Sequence, residues 1–180
     1  MGDFKTKLAM GKLAESQIAT WLRHRGNCVL PVYEVEMGAG KGPQVFLPDS
    51  ELIAPDLFVF SFDDGTKAQW IEAKHKTVFS WHRKTQRWVT GIDLHHYADY
   101  LLIDEKTPWD VFLLFLHAEY STPARNEPWP CPTGLFGKKL SRLKDCENHR
   151  SDLWGKKGMV YWAWESLIKL ANIDEFKALI

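Results

Sequence analysis

Apolar residues recur at three- and four-residue spacing over residues 8–25. Ala14, Ile18, Trp21 and Leu22 fall on one side; Lys12, Gln17, Arg23 and Arg25 fill the other. That periodicity predicts an amphipathic helix, with Gly26-Asn27 as its stop. The run Cys28 to Val35 is β-branched and apolar and reads as a strand, followed by a glycine-rich loop over Met37 to Pro43. Next come two apolar runs, PDLFVFSF and TKAQWIEAK, separated by Asp63-Asp64-Gly65. They predict a hairpin with a three-residue loop and glycine in the left-handed position. In that register Phe62 lies opposite Thr66 and Asp56 opposite Glu72, so both carboxylates share a sheet face with Lys74. A two-residue loop would put Asp56 on the other face.

Further along, Asp93 to Asp104 has a helical pattern packing through Leu94, Tyr97, Leu101 and Leu102, ended by Lys106-Thr107-Pro108. Trp109 to Leu116 is nearly continuous in apolar residues, as expected of a strand buried on both faces. Glu119 to Gly137 carries four prolines and reads as a long irregular loop. Met159 to Ala163 reads as a late strand, and Glu165 to Leu170 as the start of a final helix. This order of elements predicts an α/β fold with a mixed central β-sheet flanked by helices.

The length, 180 residues, suits one ordinary domain, and a hydrophobic content of 45% is enough for a core. Lys plus Arg and Asp plus Glu each number 23, so net charge is zero, which excludes a generally cationic coating protein. No apolar run approaches the ~20 residues of a membrane span. The N-terminus lacks an apolar signal segment. Cys28, Cys131 and Cys146 are scattered without a CxxC pair, so neither a disulfide framework nor a cysteine zinc site is expected. The expectation is a soluble, cytoplasmic protein with reduced thiols and no membrane association.

The chemistry gathers at Asp56, Glu72 and Lys74, with Glu15 on the first helix. Converging carboxylates repel and resist desolvation unless a cation or shared proton sits between them. All-oxygen ligation suits a hard ion, Mg²⁺ or Mn²⁺. A lysine beside such a site can position or deprotonate a water, or neutralise a phosphate. The segment after it is basic and aromatic, with Lys76, Arg83, Lys84 and Arg87 interleaved with Trp81 and Trp88. Such a segment grips phosphates and stacks on bases, which makes nucleic acid a natural partner despite the zero net charge.

Pro55-Asp56, fifteen intervening residues and Glu72-Ala73-Lys74, preceded by a helical glutamate, resemble the PD-(D/E)xK nuclease superfamily. The resemblance covers roughly residues 8–118 and is closest to the Holliday-junction-resolvase-like and phage-type exonuclease branches. It implies a restriction-endonuclease-like fold with residues 1–118 as a nuclease core. Residues 119–180 would add a proline-rich loop, a late strand and a helix to the same domain. It implies metal ligation by Asp56, Glu72 and the Ala73 carbonyl, with Glu15 assisting at a second metal or its water shell. Lys74 would orient or activate the attacking water. The exonuclease branch's QxxxY pair would fall on His96 and Tyr100, with histidine replacing glutamine. The activity implied is Mg²⁺-dependent hydrolysis of DNA, with Mn²⁺ as a substitute, in repair, recombination or phage and mobile-element biology. RNA is a second candidate substrate, and a homodimer an expected arrangement.

Other motifs carry less. Gly38 to Gly42 lacks the first glycine and the Ser/Thr of a phosphate loop. His95-His96 has no Cys/His partners at zinc spacing. Two rival readings are a non-catalytic nucleic-acid-binding module on the same fold and a structural subunit docking through residues 119–160. Lys138, Lys139, Arg142 and Lys144 would serve either a partner or DNA.

Overall fold

The computed structural model describes residues 4–32, 43–118, 130–155 and 157–179. Helix α1, Phe4–His24, buries Ile18 and Leu22. It ends where Gly26 takes φ +80°, the left-handed turn that glycine enters without a Cβ penalty. Strand β1, Asn27–Pro31, follows, then a short hairpin absent from the sequence reading, β2 Gln44–Phe46 and β3 Glu51–Ile53. Then come β4 Leu57–Ser61 and β5 Ala68–Lys76, then β6 Ser80–His82 and β7 Arg87–Asp93. Helix α2, Leu94–Lys106, leads into β8, Asp110–His117. Beyond it lie β9 Gly134–Lys139, α3 Leu140–Lys144, β10 His149–Ser151 and β11 Met159–Ala163. A 3₁₀ turn, Trp164–Ser166, β12 Ile168–Ala171 and α4 Ile173–Lys177 close the chain.

The described residues form a six-stranded sheet in the order β1-β4-β5-β8-β9-β12 and a four-stranded sheet in the order β10-β11-β7-β6. In the large sheet β5 and β8 run parallel and the other pairs antiparallel, so the sheet is mixed as expected. One face packs Leu57, Val59, Ile71, Ala73, Leu114 and Leu116 against Ile18 and Leu22 of α1 and Phe176 of α4. The other packs Val111, Leu113 and Phe115 against Tyr97, Tyr100 and Ile103 of α2 and Trp88, Ile92 and Trp162 of the second sheet. β8 is thus covered on both faces, which explains its unbroken apolar sequence.

Several sequence expectations need correction. The β4–β5 loop is longer than three residues. The ladder ends at Phe60 opposite Ala68, with Ser61 N–H donating to Lys67 O at 3.3 Å. Asp64 Oδ1 accepts from Thr66 N–H at 3.2 Å and the Asp64 carbonyl from Lys67 N–H at 3.1 Å, so an aspartate turn replaces the left-handed glycine. Because the ladder is shortened equally on both strands, the expected register survives.

The segment Glu119 to Gly137 is not loop to its end, since β9 begins at Gly134. Its glycines mark a close approach: a β-carbon at Gly137 would sit 2.3 Å from Leu114 Cδ2. Residues 119–129 lie outside the described residues, as do 33–42, which hold the end of the expected first strand and most of the glycine-rich loop. The expected helix over Glu165 to Leu170 is a 3₁₀ turn and strand β12, because pairing with β9 overrides a short helical pattern. The true last helix starts at the capping box of Asn172 and Glu175. On α2 the inward residues are Tyr97, Tyr100 and Ile103, while Leu102 faces solvent. Residues 134–171 supply two strands to the large sheet and two to the small one. No helix among the described residues is long and apolar enough to cross a membrane.

Candidate active site

The register that pairs Leu57 with Ile71 brings Asp56 level with Glu72 and Pro55 level with Ala73. Residues at odd positions of β4 form the hydrogen-bonded pairs of this ladder, as the Ser61–Lys67 bond shows. Asp56 turns its backbone the other way, its carbonyl accepting from Val32 N–H at 2.9 Å. Ala73 would therefore exchange both its hydrogen bonds with Pro55, but proline has no N–H to give its carbonyl. The Ala73 N–H instead donates to Asp56 Oδ2 at 2.9 Å. Proline at this place thus ends the ladder and leaves the Asp56 side chain to cap it, with the Ala73 carbonyl pointing into the same gap.

Glu72, Lys74 and Lys76 alternate onto the α2 face of β5. Glu72 is fully buried, with 0% side-chain exposure, and pairs through Oε1 with the Lys74 ammonium, whose side chain is 30% exposed. The Tyr100 hydroxyl of α2 faces the Glu72 and Asp56 carboxylates. His96, one turn earlier, packs edge-on against Tyr100 with ring centroids 5.9 Å apart and lies within charge range of Lys74. Glu15 of α1 is near enough for its charge to support that ammonium as well. The structure thus gathers Asp56, Glu72, Lys74, Tyr100 and His96, with Glu15 in electrostatic range.

The electrostatics follow from burial and mutual repulsion. Burial first, and Glu72 second, push the Asp56 carboxyl up to about 7. For Lys74, burial pulls downward, but the Glu72 and Asp56 carboxylates outweigh it, and the net shift is upward. Lys74 is therefore held as a cation. Burial, then Glu72 and Asp56, hold the Tyr100 phenol well above its ordinary range. Burial, then Lys74 and His95, push the His96 imidazole down to about 4, so it is neutral at physiological pH.

The residues expected to meet nucleic acid divide. Lys76 follows Lys74 on the same face of β5 and is half-buried; burial, then Lys74, lowers its pKa. Trp88 is only 5% exposed, in the core beneath Trp81, which removes it from any base-stacking surface. Trp81 is half-buried, its centroid 5.4 Å from that of Trp88. Arg83, Lys84 and Arg87 are exposed at the β6–β7 turn. They lie at the far end of β7 from Asp93, about 20 Å along the strand at 3.4 Å per residue.

Among the described residues no three His, Cys, Asp or Glu side chains converge as a metal cluster. The donor set at the strand end is two carboxylates and one backbone carbonyl, a partial oxygen shell that water would complete. That composition fits Mg²⁺, which retains several waters and takes one or two carboxylates. The elevated Asp56 carboxyl fits too, since a cation between Asp56 and Glu72 would relieve their repulsion.

No family model matches the chain, and no curated protein matches it in sequence. In structure it is similar to Hjc, a Holliday junction resolvase from the archaeal hyperthermophile Archaeoglobus fulgidus, with a TM-score of 0.50 and 8% identity. The match covers 92% of this chain and 99% of that one. At that identity the likeness is one of fold. The fold is the mixed α/β arrangement that the order of elements predicts, in the restriction-endonuclease-like form that the resemblance implies.

Proposed function

We propose that the protein is a metal-dependent nuclease of the PD-(D/E)xK type that hydrolyses DNA. The observation that carries the reading is the junction of β4 and β5. There Pro55 breaks the ladder, Asp56 and buried Glu72 share a face, and Lys74 stands beside them. The likeness in fold to a Holliday junction resolvase supports it at the level of fold.

In this reading Asp56, Glu72 and the Ala73 carbonyl hold a Mg²⁺ ion, with Mn²⁺ as a substitute. The ion supplies charge relief on the phosphate oxygens and lowers the pKa of bound water. Lys74, fixed as a cation, orients the attacking water or neutralises a non-bridging oxygen. The neutral Tyr100 hydroxyl stands near Glu72 and Asp56, brought there by α2. His96 offers an uncharged ring nitrogen at the rim, and Glu15 supports Lys74 from α1. Arg83, Lys84 and Arg87, exposed at the β6–β7 turn, serve as phosphate contacts. A symmetric pair of chains would suit cleavage of two strands.

Purified protein incubated with linear duplex, circular single-stranded and branched DNA in Mg²⁺, Mn²⁺ or EDTA tests the reading. The expected result is cleavage with either ion and none in EDTA, lost in Lys74→Ala and Asp56→Asn. Tight DNA binding without cleavage under every condition would instead establish a binding module.

A further inference from the structure

Leu153 and Trp154 stand side by side in the loop between β10 and β11, with 89% and 65% of their surfaces exposed. Single exposed apolar residues are ordinary, but an adjacent leucine and tryptophan on a constrained loop is a presented surface. The loop is pinned. Gly155 and Gly158 take φ +74° and +90°; a β-carbon at Gly155 would sit 2.3 Å from Asp93 Oδ1, and one at Gly158 2.8 Å from Leu94 Cδ1. The Gly158 carbonyl accepts from Leu94 N–H at 2.9 Å. Leu153 N–H donates to Ser151 Oγ at 3.3 Å.

The residues it is pinned to are the first of α2, the helix that carries His96 and Tyr100 to the carboxylates. Asp93 also acts electrostatically on Lys76 and His96. Seven helical steps from Asp93 to Tyr100 span about 10 Å at 1.5 Å per residue. That is roughly three base-pair steps of DNA at 3.4 Å each. Exposed Lys157 stands on the same loop, where a phosphate backbone would pass.

We propose that Leu153 and Trp154 form a wedge that inserts against unstacked bases where a DNA helix is interrupted, at an end, nick or branch. The proposal rests on the nuclease reading and adds what selects the substrate. The tryptophan ring offers a stacking face to one base, and the leucine fills the step it opens. DNA is the occupant the surroundings favour, because the loop rests on the first residues of α2, the helix that carries His96 and Tyr100 to the proposed cleavage site.

The test measures binding in EDTA, so cleavage does not interfere, to a forked duplex carrying 2-aminopurine at the branch and to the same duplex unbranched. Wild type, Leu153→Ala/Trp154→Ala and a control, Phe62→Ala, whose 77% exposed ring lies on the β4–β5 loop, are compared. Wild type and the control are expected to prefer the fork at least tenfold and to raise 2-aminopurine fluorescence. The double variant is expected to lose both the preference and the rise, with its melting temperature within about 3 °C of wild type. An unchanged fork-to-duplex ratio in the double variant overturns the wedge while leaving the nuclease reading intact. Conversion of a wild-type dimer to monomer at unchanged ratio also overturns it, and assigns the surface to a second copy of the chain. A wild type that neither binds nor cuts DNA overturns both readings.

Discussion

Replacing Asp56 with asparagine is expected to stabilise the metal-free protein, and to do so chiefly at neutral and alkaline pH. The Asp56 carboxyl moves from its ordinary 3.8 to about 7 on folding, with burial and Glu72 as the leading causes. A raised acid is one that the folded chain prefers protonated. Between pH 3.8 and about 7 the unfolded chain ionises it while the folded chain does not, and stability falls by about 1.4 kcal/mol per pH unit. Above pH 7 the full cost is in place, about 4 kcal/mol; at pH 4.5 it is only about 1 kcal/mol. Asparagine removes the ionisation yet keeps an oxygen to accept the Ala73 N–H. At pH 8 in EDTA the variant should gain about 2–4 kcal/mol. For a chain of this size that is roughly 5–15 °C in Tm. Thermal melts followed by circular dichroism, with wild type and variant compared at pH 8 and 4.5, check this. The gap should shrink by at least half at the lower pH. A variant that melts below wild type at pH 8, or a gap indifferent to pH, would refute the reasoning.

Lys74→Met should cost about 2–4 kcal/mol, because it leaves buried Glu72 without its counter-charge. Adding Glu72→Gln should recover most of that loss in chemical denaturation, a coupling of about 1–3 kcal/mol. Mg²⁺ should raise the Tm of wild type saturably, by an amount equivalent to about 2.7 kcal/mol at a hundredfold excess over Kd. The same titration should leave Asp56→Asn unmoved. Gly91→Ala places a β-carbon 2.2 Å from the Val160 carbonyl, between β7 and β11, and should cost about 3 kcal/mol. Gly26→Ala meets nothing within 4 Å but keeps φ +80°, so denaturation should show a smaller loss of about 1 kcal/mol.

Much of the site was legible in the sequence because it is written in the shortest-range signals. Strand alternation places Glu72 and Lys74 on one face, and parity alone puts Asp56 with them, so the register survived a wrong loop. The β4–β5 turn itself was misjudged because Asp64 satisfies its own loop, a local choice that competes with glycine. Tyr100 entered through the resemblance alone, as the tyrosine of a QxxxY-like pair with His96; its approach to Glu72 depends on how α2 crosses the sheet. Trp88 was misassigned because an aromatic among basic residues looks exposed, whereas hairpin pairing turns it inward. β9 and β12 were missed for a related reason. Gly134, Gly137 and the prolines before them read as loop, and only contact with β8 makes them strand. Leu153 and Trp154 carried no motif, and their significance appears only once Gly155 is seen against Asp93.

The central claim is that the Asp56, Glu72 and Lys74 cluster performs chemistry. Single-turnover cleavage of one DNA substrate by wild type and Lys74→Ala, with binding measured on the same DNA in EDTA, tests it most directly. Lys74→Ala is expected to lose at least a hundredfold in cleavage rate, with affinity within an order of magnitude of wild type. Lys74→Ala cutting as fast as wild type would contradict it.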